Sequence, residues 1–276
     1  MRVLTAALML VIAASTAASG ATSTAASTAS AASRAPAAAS APAVAETPDD
    51  AGIAPFIAKY EAAWKGISVG TSEIKLTRGT EPGTYLYIWT ITARGIFRIA
   101  YSDDLVQKSW LRMTGDHVRP DKYFGKEGSS TVEFAFDWPN QRATGVSETK
   151  PVDIKLPDGA QDVMSIQVEV MLDLKNGHLP DTFQIIDKDQ LKEFKYTQEG
   201  TAKIRTALGE LDTIIVTSQR TGNNRILRMW FAPSLGFVPV QAERSRDGKI
   251  EIAMRVKSVD HLVPIEPRLV PKSSAE

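Results

Sequence analysis

The segment Tyr85-Leu86-Tyr87-Ile88-Trp89-Thr90-Ile91-Thr92-Ala93 places Tyr85, Tyr87, Trp89, Ile91 and Ala93 on one face of an extended chain, and Leu86, Ile88, Thr90 and Thr92 on the other. Successive side chains of a strand point to opposite faces, so this period of two, rich in aromatic and β-branched residues, reads as a strand with one buried side. The pattern recurs along the chain. Val132, Phe134, Phe136 and Trp138 alternate with Glu133, Ala135 and Asp137, and Ile214, Val216 and Ser218 follow a turn at Leu208-Gly209-Glu210. Ile250, Ile252, Met254 and Val256 alternate with Glu251, Ala253, Arg255 and Lys257. Turn signals separate the runs at 78–83, 114–116, 127–129, Glu199-Gly200, 221–224 and 246–248. That spacing suits an antiparallel meander. The expected fold is mainly β, a single-domain antiparallel sheet curved into an open or partly closed barrel.

One segment departs from the alternation. Between Asp162 and Asn176, the residues Val163, Ile166, Gln167, Val170, Met171 and Leu174 recur at helical spacing, with Asp162 as N-cap and Gly177 as a left-handed stop. Pro180 follows. A packed helix over about 162–176 is therefore expected. Its inner stripe must cover something apolar, either at the mouth of the barrel or on its convex side.

Upstream, the composition changes twice. Met1-Arg2 is followed by the apolar run Val3 to Ala14 and then by small residues, the order of a secretory signal peptide ending near residue 21. The run is shorter than the ~20 apolar residues of a membrane anchor. No Cys follows that could carry a lipid. Residues 22–51 are Ala, Ser, Thr and Pro with almost no large apolar group, which reads as a disordered linker. The folded domain is expected over 52–263, with 264–276 as a flexible tail. The expected destination lies outside the cytoplasm.

Charge and cysteine content remove several classes of function. The chain holds 32 Lys+Arg and 32 Asp+Glu, alternating in sign, with no basic stripe of the kind nucleic-acid binders carry. With no cysteine, thiolate nucleophiles, thiolate metal sites and disulfides are absent, so stability must come from an apolar core. Gly66-Ile67-Ser68-Val69-Gly70 matches G-x-S-x-G, but a nucleophile elbow needs a strand turning into a helix, and strand-like segments flank this one on both sides. His117, His178 and His261 lack metal-ligand spacing. Asp187-Lys188-Asp189 opens like a calcium loop, yet Lys192 stands where the loop needs glycine. No catalytic residue, metal ligand or cofactor is assigned, and an enzyme is the least favoured reading.

Two sets of residues remain. Arg94, Arg98, Arg225, Arg228 and Arg244 punctuate apolar strands; they read as an outward face that keeps the sheet soluble, with a binding rim as the alternative. Strand aromatics are either core or the lining of a ligand cavity, according to whether the barrel is filled or hollow. On the hollow reading, Trp64, Tyr87, Trp89, Phe134, Phe136 and Trp230 form the ligand-binding face for a lipid-like molecule. On the filled reading, the chain is an envelope scaffold that recruits a protein partner, for instance by strand addition.

Several segments resemble a bacterial family of unknown function, number 3108. They are Tyr60-Glu-Ala-Ala-Trp64-Lys-Gly66-Ile-Ser-Val-Gly70, Asp103-Asp104-Leu-Val-Gln-Lys-Ser-Trp110, Gln161-Asp162-Val-Met164-Ser165, Thr206-Ala-Leu208-Gly209-Glu210-Leu211-Asp212-Thr213, and Trp230-Phe-Ala-Pro233-Ser234-Leu235-Gly236-Phe237-Val-Pro239-Val240. The resemblance spans about Pro55 to Val259. It implies an exported protein in the periplasm of a Gram-negative bacterium with no established reaction, similar in pattern to open-barrel lipoprotein carriers, in which a curved sheet wraps around a helix or an acyl chain. It supplies no catalytic residues.

Overall fold

The structure, a computed structural model, describes residues 52–100 and 105–262. The expected signal peptide, linker and C-terminal tail lie outside these residues, as does the start of the Asp103–Trp110 segment. Among the described residues there are fifteen strands. The first eight are β1 Phe56–Trp64, β2 Ile67–Arg78, β3 Thr84–Ala93, β4 Leu105–Thr114, β5 His117–Glu127, β6 Ser130–Asp137, β7 Arg142–Ser147 and β8 Lys150–Lys155. The rest are β9 Gln161–Asp162, β10 Thr182–Asp187, β11 Gln190–Thr206, β12 Gly209–Arg220, β13 Arg225–Ala232, β14 Val238–Arg246 and β15 Lys249–His261. Two helices, α1 Ile96–Ala100 and α2 Ser165–Asn176, and a short 3-10 turn at Pro233–Leu235 complete the fold.

All fifteen strands form one sheet, ordered β8-β7-β6-β5-β4-β3-β2-β1-β15-β14-β13-β12-β11-β10-β9. Antiparallel pairing joins chain neighbours from β1 to β8 and from β10 to β15, β8 and β9 stand at opposite ends of the sheet, and the first and last strands pair antiparallel in the middle, Ala58 opposite Val259. The exception is β9–β10, which is parallel. A parallel pair needs a crossover, and α2 supplies it. The sheet's two ends do not hydrogen-bond to each other, but β5 touches β9 and β8 touches β11. The result is a strongly curved, unclosed barrel, as the alternation predicts.

Residues facing each other across paired strands share a face, so the inner surface can be followed from strand to strand. Trp89 lies opposite Ile74, Ile74 opposite Ala58, Ala62 opposite Met254, Met254 opposite Ala242, and Ala242 opposite Met229. These residues belong to one continuous buried core. The G-x-S-x-G segment sits on the β1–β2 hairpin. Lys65 and Gly66 both have positive φ, 47° and 82°, the requirement of a two-residue turn whose twist matches the strands. Gly70 marks a register shift in β2, and a Cβ there would stand 2.2 Å from the Thr92 carbonyl oxygen. The glycines serve a hairpin and a bulge, and Ser68 is exposed.

Four expectations need correction. Glu199-Gly200 is not a turn: β11 runs through it, and the register shifts between Gln198 and Gly200, a bulge taken by Gly200 at φ 129°. Ile250 does not share the buried face of Ile252, because a second bulge between Arg244 and Ser245 displaces it to the rim. Arg94 and Arg98 lie on the exposed β3–β4 connection, not on a sheet face. Arg244 faces inward at 4% exposure, contrary to the outward reading. Burial lowers its pKa to about 10, and the Glu251 carboxylate, 3.5 Å away, opposes that shift.

Candidate functional site

The interior is organised around α2. The helix is three residues shorter than expected and its N-cap position is Met164, not Asp162, but the Asp162 side chain serves the first turn from two residues upstream. One carboxylate oxygen accepts the backbone N–H groups of Met164 (2.7 Å) and Ser165 (2.8 Å), and the Ser165 hydroxyl accepts the Asp162 N–H at 2.9 Å. This reciprocal arrangement satisfies donors that a helix start leaves open. The other carboxylate oxygen accepts the Ser109 hydroxyl of β4 at 2.6 Å, tying the cap to the sheet. Burial pushes the Asp162 carboxyl up to about 6, against the pull of these hydrogen bonds. At the far end, Gly177 is left-handed (φ 77°), and the His178 backbone N–H donates to the Asp173 carbonyl at 2.9 Å. The His178 side chain is exposed; its main chain provides the cap.

Between the caps, Ile166, Val168, Val170, Met171, Leu172 and Leu174 are all buried, so apolar residues leave the helix in every direction. A helix buried all round belongs inside a core. The concave wall meets it with polar groups at fixed points. The Tyr87 hydroxyl donates to Gln167 Oε1 (3.1 Å), the Val118 N–H donates to Glu169 Oε2 (2.5 Å), and Lys175 Nζ donates to the Gly52 carbonyl (2.8 Å).

The least balanced part of this interface is acidic. Glu169 and Asp173, one turn apart, are both buried, with Asp116 and His117 beside them at the start of β5. His117 lies 3.4 Å from Glu169 and 3.5 Å from Asp116. Asp173 Oδ2 is buried without a hydrogen-bond partner. Burial, reinforced by the negative charges of Glu169 and Asp116, pushes the Asp173 carboxyl up to about 8. A group that holds its proton more tightly when folded adds stability that is complete below its ordinary value near 4 and lost as pH rises through 8. Asp173→Asn is therefore expected to leave melting unchanged near pH 4. Its stabilising effect should grow to roughly 2–4 kcal/mol by pH 8–9, each pKa unit being worth about 1.4 kcal/mol. Chemical denaturation across that range checks this; parallel curves for the two proteins would show that Asp173 is not held protonated.

Strand pairing puts five of the six aromatics chosen from the sequence on the inner face, with Phe134 opposite Tyr123, Tyr123 opposite Ser109, Ser109 opposite Tyr87 and Trp64 opposite Ile252, while Trp230 lies on the other face. Tyr87 and Trp89 lie side by side in pattern on β3, facing α2, with the Trp89 indole N–H committed to Ser72 Oγ at 2.6 Å. Phe134 and Phe136 on β6 contact each other, with ring centroids 5.6 Å apart, and continue into Tyr123 and Trp138. Trp64 is half-buried at the end of β1, with Lys65 over its ring. Trp230 pairs with Ile215 and Gln241, on the face opposite Met229 and Phe231. All but Trp64 are buried. The functional-looking polar residues that sequence reading passed over are Ser109, Glu169 and Asp173. Among the described residues, no group of three or more His, Asp or Glu has the geometry to hold a metal ion, and no helix is long and apolar enough to cross a membrane.

Solved structures similar to this chain are remote. An exported protein with a YmcC-like fold from Bacteroides fragilis shares 10% identity at a TM-score of 0.33, over 76% of this chain and 99% of that one. A lipoprotein from Parabacteroides distasonis gives 10% and 0.32, over 77% and 100%. The MucA/MucB complex of Pseudomonas aeruginosa gives 10% and 0.31, over 77% of this chain and 53% of the matched chain, so this protein spans about half of that length. Likeness at this level carries no functional argument. No curated protein matches significantly. The profile of one family, proteins of unknown function (DUF3108), matches residues 59–255, and the chain belongs to that family.

Proposed function

We propose that this protein is a non-catalytic docking module, exported to the periplasm, that acts through its outer surface and not through an enclosed ligand. The observation that supports this is the position of α2. Six of its apolar side chains are buried against the curved sheet, where an apolar ligand of a hollow barrel would lie. The signal-peptide pattern of the first residues, with the Ala/Ser/Thr/Pro stretch after it, suits an exported module that reaches its target on a tether. Native mass spectrometry of protein purified from the periplasm tests this reading. The expected result is the bare polypeptide mass; a retained apolar molecule would overturn it.

A second reading keeps the lipid-like ligand but moves it. On the concave side of the sheet, Ile214 on β12, Leu227 on β13 and Trp64 on β1 are only half-buried, and an apolar chain could lie against them. Saturable quenching of tryptophan fluorescence by a fatty-acid probe supports this alternative.

A further inference from the structure

At one end of the barrel, the β1–β2 turn, the β3–β4 connection with α1, and the β14–β15 turn stand together. Trp64 pairs with both Ile67 and Ile252, the Lys65 N–H donates to the Glu251 carbonyl at 2.9 Å, and the Arg94 N–H donates to the Val69 carbonyl at 2.9 Å. This rim carries four isoleucines that the fold leaves in water: Ile67 at 57% exposure, Ile96 at 76%, Ile99 at 87% and Ile250 at 50%. Scattered exposed apolar residues need no explanation, but a group of large ones on a single rim marks an interaction site.

Positive charges outnumber negative ones around them. Lys65, Arg94, Arg98 and Lys249 are all exposed beside these isoleucines. Of the acidic residues nearby, Glu61 pairs with Lys257 at 2.6 Å and also feels Arg94, Asp247 lies 3.8 Å from Arg246, Glu251 turns inward to Arg244, and Asp103 and Asp104 lie outside the described residues. The isoleucines sit on the tips of separate loops, not on the walls of a groove. Trp64 is half-buried just behind them, its ring under the Lys65 ammonium at 5.1 Å. Apolar tips flanked by cations, with an indole at the level where apolar gives way to polar, fit the boundary between acyl chains and headgroups of a bilayer. A protein partner would more often meet a recessed apolar centre with a polar rim.

We propose that this rim docks the protein onto a membrane surface of anionic phospholipid, inserting Ile67, Ile96, Ile99 and Ile250 among the headgroups while Lys65, Arg94 and Lys249 meet the phosphates. This rests on the reading that the module works through its surface, and it names the partner. Each isoleucine withdrawn from water contributes about ten-fold or more to partitioning.

The test is sedimentation of the purified full chain with phosphatidylglycerol and with phosphatidylcholine vesicles. Binding to phosphatidylglycerol is expected to be at least about ten-fold tighter. Ile96→Ser with Ile99→Ser should lower that binding by about ten-fold or more with no change in melting, because both side chains are exposed. Lys65→Glu with Arg94→Glu should abolish the preference for the anionic vesicle. Equal binding by the double isoleucine variant would overturn the proposal. Absence of sedimentation with either vesicle would also overturn it, as would rim-dependent capture of a protein in place of lipid. None of these outcomes alters the small-molecule content of the barrel, so the filled-core reading fails or survives separately.

Discussion

Trp89→Asp is expected to prevent folding. The indole lies in the middle of β3 at 2% exposure, facing the core, and its N–H donates to Ser72. Removing a buried tryptophan ring costs about 3–5 kcal/mol. An unpaired carboxylate in the same apolar layer adds several more, or is forced to take up a proton. Domains of this kind hold only about 5–15 kcal/mol in all. The variant should appear as insoluble or unfolded chain by circular dichroism. Trp89→Phe keeps most of the apolar contact and loses the hydrogen bond, so it should fold and cost roughly 1–3 kcal/mol. The pair separates a buried position from one that merely tolerates aromatics. Cooperative melting of the aspartate variant at the parent temperature would put Trp89 on the wrong face, and with it the alternation that carries the fold.

That alternation was readable because each strand has one dry and one wetter side, which writes burial into the sequence with a period of two. Tyr85 to Ala93 and Val132 to Trp138 have the faces the pattern predicts. The helix was readable through its spacing and through Asp162 and Gly177, whose roles are local. What stayed hidden depends on bulges and on distant partners. Gly200 looks like a turn residue, and only the pairing of β11 with β12 shows the strand continuing through it. Arg244 reads as an outward charge because its partner Glu251 comes from another strand, beside a bulge that also displaces Ile250. The acidic interface was hidden for the same reason. Glu169 and Asp173 are a turn apart on α2, but what makes them unusual is burial beneath β5 and the approach of Asp116 and His117. An aromatic list drawn from strand faces could not tell Tyr87, which faces α2, from Trp230, which a neighbouring register places on the other side. No local pattern records how far a sheet curls.

Asp162 offers the sharpest separation between a structural carboxylate and its charge. Asp162→Ala removes the acceptor for the Ser109 hydroxyl and for the Met164 and Ser165 N–H groups, all in a buried setting. Stranding buried donors costs about 1–3 kcal/mol each, and a lost cap about 1 kcal/mol. A total of roughly 3 kcal/mol or more is expected, with faster amide exchange at the start of α2. Asp162→Asn should behave differently. Its amide oxygen still accepts the two N–H groups, and the Ser109 hydroxyl can rotate to accept from the amide nitrogen. It also removes a carboxyl whose folded pKa is raised to about 6, a group whose contribution to stability is complete below its ordinary value near 4 and lost as pH rises through 6. At pH 7 the asparagine variant should therefore lie within about 1 kcal/mol of the parent or above it, and the parent should gain on it as pH falls from 6 toward 4. If the alanine variant instead melts with the parent, the cap does not hold α2 in the sheet. The filled interior, on which the surface-acting reading depends, would then need another anchor.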